Sequence, residues 1–192
     1  MRIEEIEQYA QANNVPIIER DSIEYIQNYI KENNIKTILE IGTAIGYSAI
    51  MMASVSPDIK VTTIERDEDR YNKALENIKA MNLEDRITVL GVDALDTNIY
   101  DKFDMLFIDA AKSQYINFFE KYKDNVNDNG VIVTDNLHFH GLVDKYDEIT
   151  SRNVKGIVRK ITNYISYLKD NEEYVTEFID LGDGISITKK NH

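Results

Sequence analysis

Short runs rich in β-branched and aliphatic residues alternate along this chain with longer stretches in which apolar residues recur at helical spacing. The short runs Thr37–Ile41, Val61–Ile64, Ile87–Leu90, Phe103–Ile108 and Val131–Thr134 read as strands. Between them the spacing predicts a helix over Asp69–Met81, with Tyr71, Ala74, Leu75 and Ile78 on one face, and another over Ser113–Tyr122, carrying Ile116 and Phe119. From Ser151 to Lys169 a third helix places Val154, Ile157, Val158, Ile161, Ile165 and Leu168 on one stripe. Val175–Ile179 and Ile185–Thr188 flank Gly182-Asp183-Gly184, the pattern of a hairpin with a glycine-assisted turn.

Strands separated by helices build a parallel sheet with helices on both faces, and the hairpin adds one antiparallel strand. The expected fold is α/β and Rossmann-like, with a seven-stranded, mostly parallel sheet. Two prolines, no repeat and no low-complexity tract leave no sign of a linker, so a single domain is expected over 1–192. Within it, 1–35 reads as a helical cap, 36–136 as the ligand-binding core, 137–170 as a substrate-side loop and helix, and 171–192 as the hairpin.

Composition narrows the chemistry. The 192 residues are 43% hydrophobic, enough for a core, and contain no cysteine. Disulfide scaffolds, thiolate metal sites and thiol catalysis are therefore excluded. A formal charge of −12 argues against a surface that grips nucleic acid or anionic lipid everywhere. The first thirty residues hold Glu4, Glu5, Glu7, Glu19, Asp21 and Glu24, unlike any targeting peptide, and the uncharged stretch Ile41–Val55 is shorter than the ~20 residues of a membrane span. A cytoplasmic protein without membrane contact is the expectation.

Candidate chemistry gathers at the strand ends. The first strand runs into Glu40-Ile41-Gly42-Thr43-Ala44-Ile45-Gly46-Tyr47-Ser48 and then a helix. Glycines allow the backbone to turn and approach a ligand, but neither the dinucleotide pattern Gly-x-Gly-x-x-Gly nor a Gly-Lys-Ser/Thr loop is present. Glu40, two residues before Gly42, suits a cationic amino-acid group and repels a pyrophosphate. Glu65 closes the second strand where ribose hydroxyls are commonly bound, and Asp93-Ala94 after the third could address an adenine edge. Each acid alone reads as an ordinary loop residue; at three successive strand ends they describe a ligand with a ribose, an adenine and a charged amino-acid end, such as S-adenosylmethionine.

The fourth and fifth strands end in Asp109-Ala110-Ala111-Lys112 and Asp135-Asn136. Taken singly, Asp109 reads as a helix cap and Asp135-Asn136 as a turn. Together they offer three oxygen ligands with no His or Cys, which favours Mg²⁺ or a similar hard cation, with Lys112 close enough to Asp109 to serve as a general base.

Ile-Leu-Glu-Ile-Gly-Thr-Ala-Ile-Gly-Tyr-Ser, Ile-Glu-Arg, Gly-Val-Asp-Ala, Phe-Ile-Asp-Ala-Ala-Lys-Ser-Gln-Tyr and Thr-Asp-Asn-Leu, in this order, resemble the motifs of the metal-dependent class I O-methyltransferases, which include the catechol and caffeoyl-CoA enzymes. The resemblance runs from Val15 to Gly184. Within the group it looks closest to the branch that methylates 5-hydroxyuridine at the tRNA wobble position. It implies S-adenosylmethionine contacts at Ile18, Ser48, Glu65, Asp93, Ala94 and Asp109, metal ligation by Asp109, Asp135 and Asn136, and a catalytic role for Lys112. A homodimer is the family expectation, although the chain begins about where the family's first helix is expected to have ended. Histidines in Leu137-His138-Phe139-His140-Gly141 depart from the family pattern and read either as plain loop residues or as part of the substrate rim.

Two substrate classes present the adjacent oxygens that one metal could chelate: 5-hydroxyuridine in tRNA, and small catechol-like or acyl-CoA phenols. Charge separates them. From Ser151 to Lys169 the chain carries five basic residues and no acid, with Arg152, Lys155, Arg159 and Lys160 available to anticodon-stem phosphates. The same residues also read as a solvated helix face, and Tyr164 and Tyr167 as packing or as stacking platforms. A non-catalytic cofactor- or RNA-binding module is the remaining alternative.

Overall fold

The computed structural model describes residues 2–192. Helices α1 (Ile3–Ala12) and α2 (Arg20–Glu32) precede β1 (Thr37–Ile41), α3 (Tyr47–Ala53), β2 (Lys60–Ile64), α4 (Glu68–Ala80), β3 (Ile87–Leu90) and β4 (Phe103–Ile108). A 3₁₀ turn at Lys112–Gln114 leads into α5 (Tyr115–Tyr122), then β5 (Val126–Thr134), α6 (Arg152–Lys169), β6 (Tyr174–Ile179) and β7 (Ile185–Lys190). The seven strands lie in the order β3-β2-β1-β4-β5-β7-β6. β1 to β5 are parallel, and β7 runs antiparallel to both its neighbours, as the hairpin implied.

Successive residues of the central strands enter opposite cores. Ile38 packs with Ile6, Ile26 and Ile50 beneath α1–α3, whereas Leu39 packs with Phe119, Tyr164 and Leu168 beneath α5 and α6. Burial on both faces explains why these strands read as apolar runs. The register then sets up the site: Ile41 lies level with Ile64 and Ile108, Ile64 with Leu90, and Ile108 with Thr134. Gly42, Glu65, Gly91, Asp109 and Asp135, each one residue further on, therefore form a row along the carboxyl edge.

Several local expectations are corrected. β5 begins at Val126, because Asn127-Asp128-Asn129-Gly130 continues the strand through an irregular register against β4 rather than turning. In α4 the inward face holds Ala74, Asn77 and Ile78 while Leu75 is 40% exposed; Asn77 is drawn in by the bond from its Nδ2 to the Ile45 carbonyl. Ser113–Tyr122 divides into the 3₁₀ turn and α5, with Phe119 fully buried and Ile116 only partly. Tyr164 is fully buried and its hydroxyl meets Thr134 Oγ1 at 2.8 Å, which makes it a packing residue. Among the described residues no helix is long and apolar enough to cross a membrane.

Candidate active site

A cavity of about 750 Å³ opens along the carboxyl edge of the sheet, at the switch point between β1 and β4. Gly42 forms its tightest turn. With φ at +103° and the Asp109 carbonyl only 2.1 Å from where a Cβ would lie, no other residue fits there.

On one side the cavity is bounded by Ile18, Gly42, Ser48, Glu65, Asp93 and Ala94, all anticipated from the sequence. Glu65 is pinned by two backbone amides: Ala44 N–H donates to its Oε2 at 2.8 Å and Asp67 N–H to its Oε1 at 2.9 Å. Asp93 Oδ1 accepts from Leu95 N–H at 2.8 Å and its Oδ2 from Arg66 at 3.2 Å, which holds its carboxyl below the usual range. Each oxygen retains a lone pair for ligand donors.

Glu40 does not reach the cavity. It lies fully buried below the loop, accepting hydrogen bonds from Ser48 and Thr63, with Thr43 Oγ1 next in the chain at 2.6 Å. Burial pushes its carboxyl up to about 7 despite those donors. Its contact with the cavity is indirect, through Ser48.

The other side is bounded by Asp109, Lys112, Asp135 and Asn136. Asp109 does not cap a helix: the residues after it are irregular, and its amide donates to the Ile41 carbonyl at 3.0 Å. Its carboxylate is open to the cavity and otherwise enclosed by protein. That enclosure raises its pKa, Lys112 opposes the shift and Asp183 adds to it. Asp135 is raised well above the carboxylate range by burial first and by Asp109 second. Asn136 adopts a left-handed conformation, φ 71°. Lys112 projects from the 3₁₀ turn with its Nζ 5.7 Å from the Phe139 ring centroid.

The donor set tests whether a hard cation fits. Asp135 Oδ1 and Asn136 Oδ1 are both buried without a hydrogen-bond partner, and orphaned buried oxygens are rare unless something else satisfies them. Among the described residues no three His, Cys, Asp or Glu side chains converge as a metal cluster, so the set here is two carboxylates and an amide. All three donors are oxygens, which fits Mg²⁺ or a similar ion.

Arg152, Lys155, Arg159 and Lys160 lie outside the cavity, exposed or half-exposed on the first half of α6, which packs against the Lys112–Gln114 turn. Sequence reasoning missed Asp183 and left His140 open; both line the cavity, although Gly182-Asp183-Gly184 read only as turn chemistry.

The sequence profile of the O-methyltransferase family matches residues 3–191. A caffeoyl-CoA O-methyltransferase of Populus kitakamiensis is 29% identical over 182 residues, spanning 88% of this chain and 76% of its own length. The structure of a candidate caffeoyl-CoA O-methyltransferase from Staphylococcus aureus superimposes with a TM-score of 0.95 at 41% identity, covering 100% of this chain and 93% of that one. An O-methyltransferase from Bacillus cereus, solved in complex with SAH, gives 0.82 at 28% identity, covering 98% and 90%. A profile match over nearly the whole length, on a sheet whose carboxyl edge carries the expected acids, means that this chain belongs to the O-methyltransferase family.

Proposed function

We propose that the protein is an S-adenosylmethionine-dependent O-methyltransferase, assisted by Mg²⁺ or a similar cation, that methylates the 5-hydroxyl of 5-hydroxyuridine at the tRNA wobble position to give 5-methoxyuridine. The observation that carries the reading is the pair of orphaned oxygens on Asp135 and Asn136 beside Asp109, facing the same cavity as the groove of Glu65 and Asp93. The SAH held by the Bacillus cereus relative supports the choice of cofactor.

When bound, the cofactor supplies an electrophilic methyl group, and a cation held by Asp109, Asp135 and Asn136 supplies positive charge that makes an adjacent hydroxyl more acidic. Glu65 accepts hydrogen bonds from the ribose. Asp93 and the Ala94 N–H read the adenine. Ser48, donating to Glu40, keeps its oxygen lone pairs for the cofactor ammonium. Lys112 takes the acceptor's hydroxyl proton at its Nζ. Holding acceptor and cofactor in line is the larger part of the catalysis, because methyl transfer demands collinear attack.

The basic residues on the outer face of α6, a helix that packs against the Lys112–Gln114 turn, support a polyanionic acceptor. A second reading, O-methylation of acyl-CoA phenols, is favoured by the named acceptor of the Populus relative. One assay separates the two: purified protein with cofactor, Mg²⁺ and either hydroxyuridine-containing tRNA or caffeoyl-CoA. Methoxyuridine in the nucleoside digest supports the first reading; turnover of caffeoyl-CoA alone replaces it with the second. Charge reversal at Lys155 and Arg159 should raise the KM for tRNA about tenfold and flatten its salt dependence.

A further inference from the structure

Phe139 and His140 of the loop Leu137–Gly141 line the cavity, Phe139 beside Lys112, and the backbone there is one that L-residues avoid. Phe139 and His140 have φ of 48° and 55°, directly after Asn136 at 71° is followed by only two ordinary residues. Such conformations persist where surrounding contacts hold them. Here the contacts come from the turn between β6 and β7. Leu137 N–H donates to the Gly184 carbonyl at 3.0 Å, His138 N–H to the Asp183 carbonyl at 2.7 Å, and His140 N–H to Asp183 Oδ1. At Gly184, φ +84°, a Cβ would lie 2.7 Å from the His138 ring, so turn and loop are in direct contact.

Asp183 is 3% exposed and lines the cavity. Its Oδ2 is buried without a hydrogen-bond partner, while His140 Nδ1 stands 3.4 Å away and out of alignment. An unmatched buried carboxylate oxygen is costly to keep, more so beside Asp109 and Asp135, whose carboxyls it pushes up. None of the roles given to Asp109, Lys112, Asp135 or Asn136 uses this group.

We propose that Asp183 is a positioning residue for the acceptor: its buried carboxylate latches the loop Leu137–Gly141 and turns His140 so that the imidazole contacts the acceptor. The inference rests on the methyl-transfer reading above. A rotation of the ring that brings Nδ1–H, now 3.4 Å away, into line with Asp183 Oδ2 leaves the Nε2 lone pair for a hydroxyl or N–H donor of the acceptor. Glu65 and Asp93 follow β2 and β3, across β1 from this loop, so the latch acts on the acceptor and not on the cofactor.

The test compares D183N, D183A, H140A and the D183N/H140A double variant with the wild type. D183N keeps the shape and removes a buried charge, so folding is retained; melting curves check this. Hydrogen exchange of the His140 amide, the one bonded to the Asp183 side chain, should accelerate at least tenfold in D183A while β4 exchanges as in the wild type, and SAH affinity by calorimetry should stay within twofold in every variant. With whichever acceptor the wild type methylates, KM should rise about tenfold in each single variant with kcat within threefold, and the double variant should be no worse than the weaker single one. Unchanged His140 amide exchange in D183A, an unchanged KM in H140A, or additive losses would overturn the proposal. A wild-type protein inactive on every acceptor would sink the proposed function and the His140 contact with it, while the exchange measurement, which needs no acceptor, still decides the latch.

Discussion

The two halves of the cavity solve opposite electrostatic problems. In the half bounded by β1–β3, both oxygens of Glu65 and of Asp93 are met by protein donors, and Asp93 is held in its charged form. In the half bounded by β4, β5 and the hairpin turn, Asp135, Asn136 and Asp183 each keep an oxygen with no partner, and Asp109 and Asp135 are pushed toward neutrality. The first half is pre-organised for a ligand that donates hydrogen bonds to carboxylates already held in place. The second carries an excess of acceptors that only a cation or a donor-rich acceptor molecule relieves.

Four experiments press on that contrast. Asp135→Ala should lower methyl transfer about 10³-fold, since it strips a ligand from the unsatisfied half. Its melting temperature should hold or rise, because a buried unpaired carboxylate goes with it; a large drop would show that Asp135 is structural instead.

Glu40 gives a pH signature. Its carboxyl titrates near 7 when folded against a reference of 4.5, so between those values the native state binds the extra proton and stability falls as pH rises. The loss attributable to Glu40 should be about 3 kcal/mol across that window. Urea unfolding of the wild type and Glu40→Gln at pH 5 and pH 7 isolates it: the variant should lack this part of the slope, and equal slopes would contradict the burial argument.

Lys112→Met should reduce kcat about 10²-fold while SAH affinity stays within twofold. Equal loss of SAH binding would place Lys112 in the satisfied half. Asp93→Ala, the smallest effect, should weaken SAH binding about tenfold and leave the acceptor KM alone, measured by calorimetry and initial rates.

Legibility in the sequence followed how local each cue is, in both halves alike. Glycine turns and acids at strand ends act locally, so Gly42, Glu65, Asp93, Asp109, Asp135 and Asn136 could be named from their place after a strand, and all line the cavity. Glu40 was misplaced because alternation along a strand sends neighbouring residues to opposite faces, and its carboxylate points down to Ser48 and Thr63. Leu75 is exposed although hydropathy put it on the inward face of α4, and Asn77 takes an inward place that hydropathy does not signal, held there by its bond to the Ile45 carbonyl. Asp183 was invisible as a site residue, since its partners in the Leu137–Gly141 loop lie more than forty positions away in the chain.

The sequence by itself determined the strand order's raw material, the two-sided burial of the sheet and the row of acids at its carboxyl edge, because hydrophobic period and turn chemistry are local properties. Only the tertiary structure decided which of those acids are satisfied and which keep an oxygen without a partner, which carboxylate hides beneath the loop, and which turn holds the loop beside Lys112. Those outcomes depend on groups from distant segments meeting at one point, where exclusion of water makes each missing partner costly.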